Sequence, residues 1–506
     1  MLKIILTCLF ISFLALPVFA QSVDTAWVRR YNGAVNSGDA AYAIEVDNAG
    51  NVYVTGGAFA GYATLKYDSQ GNEVWVKSYN GPGNGNDVAY AIALDNSGNV
   101  YVTGYSDGNG TGVDYATIKY DSQGNQLWVE RYNGPGNSSD TAFALAVDNS
   151  GNIYVTGTSH GSGTYQDYAT IKYDSLGNQL WVKRYNGPGN YNDEALTIAA
   201  DKSGNIYICG WGWGGGTYYD YATVKYDSQG TELWVKRYTG PANSYDYAYD
   251  IAVDDSENAY VTGQSYTSGQ WEDFATIKYD SQGNEVWVER YNGPSNDYDK
   301  ARAVAVDDSG NVYVTGGSYE IGSSADYTTV KYDSQGNQLW VRRYDDSASA
   351  DFALALAIDN SGNVYVTGES YLSGQWQDYA TVKYNSQGNQ LWAERYNGPA
   401  NSIDRALGIA TDDSGNVYVT GWSDGIGTRT DYATIRYAQF LRGDVNHDEN
   451  VTIADIVYLV SYLFKRGPLP YPILQVGDTN CDGKVNVADV VYLVAYFFKV
   501  GPAPCI

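Results

Sequence analysis

Eight tryptophans recur at a nearly constant spacing along most of the chain. Neighbouring members lie 48 to 53 residues apart, and each occupies the same place in a near copy of one segment. The eight are Trp27, Trp75, Trp128, Trp181, Trp234, Trp287, Trp340 and Trp392. A repeat of about 50 residues made of short alternating segments is typical of β-propellers and of linear arrays. This repeat constrains the fold more than any other feature of the sequence.

Each repeat contains four short segments that predict β-strands. In the second copy they are residues 89–95 (strand a), 100–104 (strand b), 115–120 (strand c) and 127–132 (strand d). Polar turns that contain glycine join a to b and c to d, as expected for tight hairpins. Four antiparallel strands per repeat make one propeller blade.

The number and order of the strands predict how the repeats are arranged. A d-type segment at 26–31 precedes every strand a, and the eighth strand c ends at Tyr437 with no strand d after it. An open ring would leave unpaired edges, which pairing of these two segments removes. The prediction is a mainly β fold over 23–437, an eight-bladed β-propeller closed by its N-terminal strand. A solenoid of the same blades is the alternative.

The turn that follows strand a carries a recognisable pattern. Residues 148–157 read Asp-x-x-Gly-Asn-x-Tyr-x-Thr-Gly. This pattern resembles the units of the bacterial β-propeller repeat family SBBP, and the resemblance covers about 23–437. It implies a propeller of extracellular or envelope proteins and no particular reaction. We interpret the repeated tryptophans as packing between blades, and the aspartate of each Asp-x-x-Gly turn as a cap on its own turn.

The b/c and d/a loops are expected on one face of the propeller, and they vary between blades. Variable loops on a rigid scaffold are where binding residues are expected. Aromatic residues in or beside the b/c loops are candidates for stacking on sugar rings or clamping a peptide. Covering the blade interface is the alternative role. The candidates are Trp211, Trp213, Trp271, Trp376, Trp422, Tyr266, Tyr319 and Tyr371.

The sequence favours a non-catalytic binding or scaffold protein over an enzyme, because the blades are nearly identical. Acidic residues outnumber basic ones 58 to 31, for a net charge of -27, which argues against nucleic acid and suits cations, basic partners or solubility. Neither His160 nor His447 lies in a Ser/His/Asp setting. An active site needs blades that break the pattern with inward polar residues, whereas strand a is mostly small or aliphatic. A glycoside hydrolase on the variable face is the alternative. The acids that begin strand c repeat and predict a structural role; they are Asp114, Asp167, Asp220, Asp273, Asp326, Asp378 and Asp431.

The N-terminal residues predict export. Residues 1–20 combine a short basic start, an apolar run and a small-residue ending, which is typical of a secretory signal peptide cut before Gln21. No later stretch is long and apolar enough to span a bilayer. We therefore expect a protein that is secreted, either extracellular or associated with the cell surface.

A second, smaller domain is predicted over 444–506, after a linker at 438–443. Two related segments begin at Asp444 and Asp478 and place oxygen side chains at loop positions 1, 3, 5, 9 and 12. This spacing suits a hard cation and is typical of calcium loops. Each loop runs into an apolar segment that predicts a helix. The prediction is an all-α domain with two EF-hand-like loops and two calcium ions, with plain acidic loops as the alternative.

The pair of loops resembles a type I dockerin, a calcium-dependent module that binds cohesin domains and attaches secreted bacterial proteins to scaffolds or cell surfaces. The resemblance covers about 442–501. Matched by position, it implies the ligands Asp444, Asn446, Asp448, Asn450, Thr452, Asp455, Asp478, Asn480, Asp482, Lys484, Asn486 and Asp489. Glu449 replaces the glycine usual at position 6, which predicts a weaker first site. Residues 453–454 and 487–488 lack the usual Ser or Thr, which predicts an unusual partner or none.

Three cysteines follow the predicted signal peptide. Cys481 and Cys505 are candidates for a disulfide in an exported protein, with two free thiols as the alternative. Cys209 replaces the threonine of the repeat pattern and is predicted to be buried.

Overall fold

The structure is a computed structural model. It describes residues 22–59, 61–267, 271–320, 324–345, 350–372, 376–440, 445, 453–465, 477–480 and 484–499. The chain divides into a compact unit Thr25–Tyr437 and a second unit that includes residues 438–506. In the first unit, eight four-stranded sheets form the blades, so the predicted number of blades is confirmed.

The strands follow one another along the chain, four to each blade. Blades 1 to 4 comprise β2 (Ala40–Val46), β3 (Val52–Ala58), β4 (Gly61–Tyr67), β5 (Glu73–Tyr79), β6 (Val88–Leu94), β7 (Val100–Gly108), β8 (Gly112–Tyr120), β9 (Gln126–Tyr132), β10 (Asp140–Val147), β11 (Ile153–His160), β12 (Gln166–Tyr173), β13 (Gln179–Tyr185), β14 (Asp193–Ala200), β15 (Ile206–Trp213), β16 (Tyr219–Tyr226) and β17 (Glu232–Tyr238). Blades 5 to 8 comprise β18 (Asp246–Val253), β19 (Ala259–Tyr266), β20 (Glu272–Tyr279), β21 (Glu285–Tyr291), β22 (Asp299–Val306), β23 (Val312–Tyr319), β24 (Ala325–Tyr332), β25 (Gln338–Tyr344), β26 (Asp351–Ile358), β27 (Val364–Tyr371), β28 (Gln377–Tyr384), β29 (Gln390–Tyr396), β30 (Asp404–Thr411), β31 (Val417–Asp424), β32 (Thr430–Phe440) and β1 (Ser22–Tyr31).

The innermost strands contact one another in a cycle around the centre. Strand a of each blade contacts strand a of the next, and β30 of blade 8 contacts β2 of blade 1. The eighth sheet has the order β1-β32-β31-β30, so its outer strand comes from the N-terminal part of the chain. The Oη atom of Tyr432 in blade 8 donates to the carbonyl of Ala63 in blade 1 at 3.2 Å.

The repeated tryptophans pack between neighbouring blades, as predicted. Trp75 is 8% exposed and contacts Tyr53 of its own blade and Tyr120 of the next, with ring centroids 6.2 Å apart in both pairs. Its indole Nε1 donates to the carbonyl of Ser122 at 3.3 Å. An aromatic ring with one hydrogen-bond donor can therefore join two apolar sheets and satisfy its polar atom.

The aspartates of the turns cap their own turns, as predicted. Asp121 Oδ1 accepts hydrogen bonds from the backbone N–H groups of Gln123 and Asn125, at 3.0 and 2.8 Å. Asp95 in an a/b turn accepts the same pair of bonds, and its Oδ2 also accepts from Tyr101 Oη at 2.9 Å. The backbone N–H groups in these tight turns have no strand partner, and the aspartate carboxylates accept their hydrogen bonds instead.

The acids that begin strand c are structural, as predicted. Each pairs with an arginine of strand d in the same blade, at 2.7 to 3.0 Å. In blade 2, Asp114 Oδ2 lies 3.0 Å from Arg131 Nη2, and the same guanidinium donates to Tyr79 Oη of the preceding blade at 3.2 Å. Blade 1 has Gly61 and Ser78 at the two positions and so lacks both partners.

The second unit contains two helices, α1 (Ile453–Lys465) and α2 (Val487–Lys499), which contact each other. The apolar segments that predict these helices are 456–464 and 490–498. Both helices begin three residues earlier, because each starts within its loop. Asn486 Oδ1 accepts from the Ala488 N–H at 2.8 Å, and Asp489 Oδ2 accepts from the Asn486 N–H at 2.8 Å. Asn486 therefore caps the N-terminus of α2, and the Asp489 carboxylate accepts the N–H of this capping residue. Among the described residues, no helix has the length and apolar character needed to cross a bilayer.

Candidate ligand-binding face and calcium loops

The predicted aromatic residues lie mostly at the ends of b strands rather than in loops. Strands b and c pair farther than the sequence suggested, for example to Gly108 and Gly112 in blade 2. Only Trp271 and Trp376 remain in b/c loops, where they are 46% and 58% exposed. The residues inside or ending b strands are Trp211, Trp213, Tyr266, Tyr319, Tyr371 and Trp422.

Blades 4 and 5 bring eight aromatic side chains together, and we call this group the aromatic cluster. Ring centroids lie 4.5 Å apart for Trp211 and Tyr219, 5.2 Å for Trp213 and Tyr219, and 4.6 Å for Tyr218 and Tyr245. Tyr218 remains 46% exposed. The members are Tyr191, Trp211, Trp213, Tyr218, Tyr219, Tyr245, Tyr247 and Tyr266.

A second, smaller aromatic group lies beside blade 6. Tyr298 contacts Trp271 at 4.5 Å and Tyr319 at 6.3 Å between ring centroids. Among the described residues, neither Trp376 nor Trp422 makes a ring contact with this group or with the aromatic cluster. Tyr298 and the d/a-loop tyrosines of the cluster were not predicted, because most of the candidates were chosen around tryptophans. The departure of these loops from the repeat was the available indication.

A cavity of about 400 Å³ lies between the inner strands of blades 6, 7 and 8, and we call it the blade 6–8 cavity. Its size falls within the range of ligand pockets. It is lined by Tyr298, Lys300, Arg302, Gly317, Tyr319, Phe352, Ala353, Leu354, Glu369 and Arg405. This site was not predicted, because strand a reads as mostly aliphatic across the blades. Strand a carries a cation at its second residue in blades 6 and 8 and at its fourth residue in blade 6.

One carboxylate lies among the cations of the blade 6–8 cavity. Glu369 is 6% exposed, and its Oε2 lies 3.1 Å from Arg405 Nε. Burial raises the pKa of Glu369, while Arg405 and Arg302 act in the opposite direction. In blade 4, burial raises the pKa of Glu194 to about 7. A carboxyl group with a pKa of about 7, as in Glu194, is partly protonated at neutral pH and can donate its proton.

The structure describes part of the predicted calcium loops. Asp455, Asp478 and Asp489 are buried, and the Asn480 N–H donates to Asp489 Oδ1 at 3.3 Å. Carboxylate oxygens are ligands that suit a hard cation such as calcium. Within the described residues, no group of three or more acidic, His or Cys side chains is arranged to hold a metal.

Several predicted residues of this domain lie outside the described residues. They are Asp444, Asn446, Asp448, Asn450, Thr452, Cys481, Asp482 and Cys505. Lys484 and Asn486 are described, and Asn486 caps α2 as given above. Cys209 is a buried free cysteine, as predicted.

Comparison with known families decides the domain content. Six segments match the beta-propeller repeat family SBBP, and residues 442–498 match the dockerin type I domain. The chain is a beta-propeller repeat protein with a dockerin type I domain. The repeat segments are 75–110, 127–163, 180–216, 233–268, 286–320 and 392–427. Dockerin type I domains typically bind calcium.

Individual relatives of this propeller-dockerin chain are distant. An uncharacterized WD repeat-containing protein of Acanthamoeba polyphaga mimivirus is 26% identical over 379 residues, which cover 60% of this chain and 26% of that protein. This chain therefore spans about a quarter of that relative's length.

Solved propellers are also distant in sequence. The propeller domain of the Trilobed protease from Pyrococcus furiosus is 11% identical, with a TM-score of 0.42, over 69% of this chain and 96% of that one. The virginiamycin B lyase from Staphylococcus aureus is 10% identical, with a TM-score of 0.40, over 82% and 99%. Similarity at this level carries no argument about activity.

Proposed function

We propose that this protein is a secreted, non-catalytic binding or scaffold protein. Its propeller presents the variable face to a ligand, and its dockerin domain attaches it to a cohesin-type partner on a scaffold or cell surface. The observation that carries this proposal is the joining of a propeller to a dockerin type I domain in one chain. The apolar segment at 1–20 supports export through a signal peptide.

The two helices of the dockerin domain present matching apolar surfaces. Ile453 and Val457 on α1 are 53% and 64% exposed, and Val487 and Val491 on α2 are 49% and 61% exposed. Residues four apart share one face of a helix. Exposed apolar pairs at equivalent positions of both repeats support contact with a protein partner.

Bound calcium would stabilise each loop in the conformation from which its helix begins. We propose two ions, bound by the twelve residues that the dockerin resemblance implies. Asp489 would serve at position 12 of the second loop, and Asp455 at the same position of the first. A bound calcium ion supplies positive charge that lets several buried carboxylates remain ionised side by side.

Cohesin binding can be measured directly on the full chain. We expect a type I cohesin module to bind in calcium and to dissociate when the ion is chelated. Replacing Ile453, Val457, Val487 and Val491 together by serine should abolish binding, whereas Trp376→Ala on the propeller should not affect it. Binding that persists in chelator, or in the fourfold variant, would contradict the proposed attachment.

The aromatic cluster supports ligand binding on the propeller. Exposed aromatic rings can stack on sugar rings or hold a peptide. A glycan and peptide array should therefore retain the protein without turnover, and the double variant Trp213→Ala, Tyr218→Ala should lose that retention. Trp376→Ala is the matched control outside the cluster. Equal retention of both variants would exclude the cluster as the binding site.

A polysaccharide-degrading enzyme is the second candidate function. Burial raises the pKa of Glu194 to about 7, and this supports it, because a carboxyl group that stays protonated can act as a general acid. A polysaccharide panel that shows new reducing ends, lost in Glu369→Gln or Glu194→Gln, would establish the enzyme. A panel without product formation would leave the binding protein.

A further inference from the structure

The cations at repeat positions of the propeller are already used by the fold. The strand d arginines form the ion pairs described above. The strand c lysines donate to a backbone carbonyl of the next blade, as Lys119 Nζ does to Ser175 at 2.9 Å, and lie over a tyrosine ring of their own blade. Lys172 and Lys278 make the same contacts. These side chains bind groups of the protein itself and hold the blades together. They are therefore not available to bind a ligand.

Three cations of the blade 6–8 cavity belong to no such position. Lys300 and Arg405 are the second residues of β22 and β30, and Arg302 is the fourth residue of β22. The equivalent residue of strand a in the other blades is Ala40, Val88, Thr141, Glu194, Tyr247 or Phe352. Five of the other six blades build the same strand without a charge there, so the fold does not require these cations.

The blade 6–8 cavity has an excess of positive charge in a chain of net charge -27. Its one carboxylate, Glu369, pairs with Arg405. Within the described part of the chain, neither Lys300 nor Arg302 forms an ion pair. Arg302 lies over the ring of Tyr249 at 4.4 Å, and Lys300 over the ring of Tyr298 at 5.4 Å. Such contacts position a cation without neutralising its charge.

Three aromatic residues also line the cavity, and its shape depends on one glycine. Tyr298, Tyr319 and Phe352 line it together with the cations. A Cβ atom at Gly317 would lie 2.6 Å from Phe352 Cδ1. The equivalent position in blade 8 is Trp422, whose side chain would fill this space. The absence of a side chain at Gly317 therefore leaves the Phe352 ring uncovered on this side of the cavity.

We propose that the blade 6–8 cavity binds an anionic sugar residue, a ring that carries a carboxylate or a sulfate group. Lys300 and Arg302 would hold the anionic group, and Phe352 and Tyr298 would pack against the sugar ring. Arginine donors match the planar oxygens of such groups, and aromatic faces match the apolar face of a sugar. This inference rests on the proposed function and specifies its ligand.

The test is calorimetric titration of the full chain in calcium with oligosaccharides that differ in charge. Oligogalacturonate and a sulfated galactan oligosaccharide identify which anion is bound, and a neutral galactan oligosaccharide is the comparison. We expect at least one anionic sugar to bind about tenfold or more tightly than the neutral one. Binding should weaken as salt is raised.

Variants separate the cavity from the rest of the surface. Lys300→Ala combined with Arg302→Ala should weaken binding at least about tenfold, and Lys300→Glu alone should weaken it as well. Lys202→Ala removes an exposed lysine paired with Asp255 at 2.7 Å and should leave binding unchanged. Arg302 packs on the Tyr249 ring, so the double variant could lose stability as well as charge. Lys300→Glu leaves Arg302 in place and so tests the cavity without that change.

Four outcomes would overturn the inference. They are equal affinity for the neutral sugar, no binding of any oligosaccharide, variants that bind as the parent does, and binding of a glutamate-rich peptide in place of sugars. Cohesin binding is measured on the same preparations. If cohesin binds while the anionic sugars do not, the inference fails and the proposed attachment stands. If the parent chain does not bind cohesin, the proposed function is contradicted instead.

Discussion

The Nη2 atom of Arg30 lies 2.8 Å from Oδ2 of Asp431, although 401 residues separate them along the chain. The same contact in blade 3 joins Arg184 to Asp167, 17 residues away, at 2.7 Å. Blade 8 therefore uses the ion pair of an ordinary blade to fasten an outer strand that comes from the other end of the propeller. In the other blades, a c/d turn also holds that strand covalently.

Loss of this ion pair should affect β1 more than its equivalent affects β13. Arg30→Ala and Arg184→Ala each leave a buried carboxylate without its partner, at a cost of about 2 kcal/mol, reduced by the exposure of the arginine. Urea unfolding should show similar losses for the two variants. Only Arg30→Ala should accelerate protease cleavage within 22–31, because β1 has no turn to retain it. Equal cleavage of both variants would contradict this view of β1.

The tight packing of turn glycines on tryptophans gives a second prediction. Gly124 has φ +80°, and a Cβ atom there would lie 2.9 Å from the Trp75 ring; Gly98 has φ +75°, and its nearest neighbour would be Ser122 Cβ at 3.6 Å. Alanine at either position pays the left-handed backbone penalty of about 1–2 kcal/mol. Gly124→Ala should lose a further 1–3 kcal/mol or so from overlap with the indole. Equal free energies of unfolding would show that the ring moves freely aside.

Features that recur in most blades were predictable from sequence, because local spacing fixes them. Trp75 and Asp121 have equivalents with the same kinds of neighbour in most copies, although Asn385 replaces the aspartate in blade 7. The blade 6–8 cavity was not predictable in this way. Lys300 and Arg405 belong to different blades, and only the ring geometry brings them to one cavity. Reading strand a as an average over the blades hid the positions at which single blades depart from it.

The aspartate that begins strand a shows a different limit. Asp246 accepts from the Gly240 N–H at 2.7 Å and from the Tyr266 N–H at 3.2 Å, so it joins a d/a loop to the end of a b strand. Its recurrence is visible in the sequence. Its role depends on how far strand b extends, and that extension is set by pairing with strand c rather than by local pattern.

These aspartates predict how stability depends on pH. Burial raises the pKa to about 6, against the lowering effect of hydrogen bonds from neighbouring groups, in Asp193, Asp246, Asp299 and Asp404. The ordinary value is 3.8, so the folded state binds more protons between about pH 4 and 6. The free energy of unfolding should therefore fall as pH rises through this window.

The turn aspartates act in the opposite sense at lower pH. A hydrogen bond from the Asn125 side chain lowers the pKa of Asp121, and its stabilising effect is lost as pH falls below the ordinary value of 3.8. Thermal unfolding of the propeller in chelator should thus show a maximum near about pH 4–5. Asp246→Asn keeps an acceptor oxygen and should flatten the decline above the maximum. Stability that rises steadily from pH 4 to about 7 would contradict this assignment.

Calcium binding by the dockerin domain should follow the two position-12 carboxylates. Asp489 accepts from Asn486 through Oδ2 and from Asn480 through Oδ1, so the folded loop orients both of its oxygens. Asp489→Asn keeps one acceptor but removes the charge, and titration calorimetry should then detect one site fewer than in the parent. Asp455→Asn should remove the other site.

The same titration carries its own control and a structural readout. Asp121→Asn changes a comparable turn carboxylate in the propeller and should leave the number of calcium sites unchanged. Chelation should reduce the helical circular dichroism of the parent, because α1 and α2 each begin inside a predicted metal loop and metal binding is coupled to folding. If chelation leaves the helical signal intact and both dockerin variants titrate like the parent, the loops do not depend on these carboxylates, and the capping hydrogen bonds of Asn486 are sufficient to start α2.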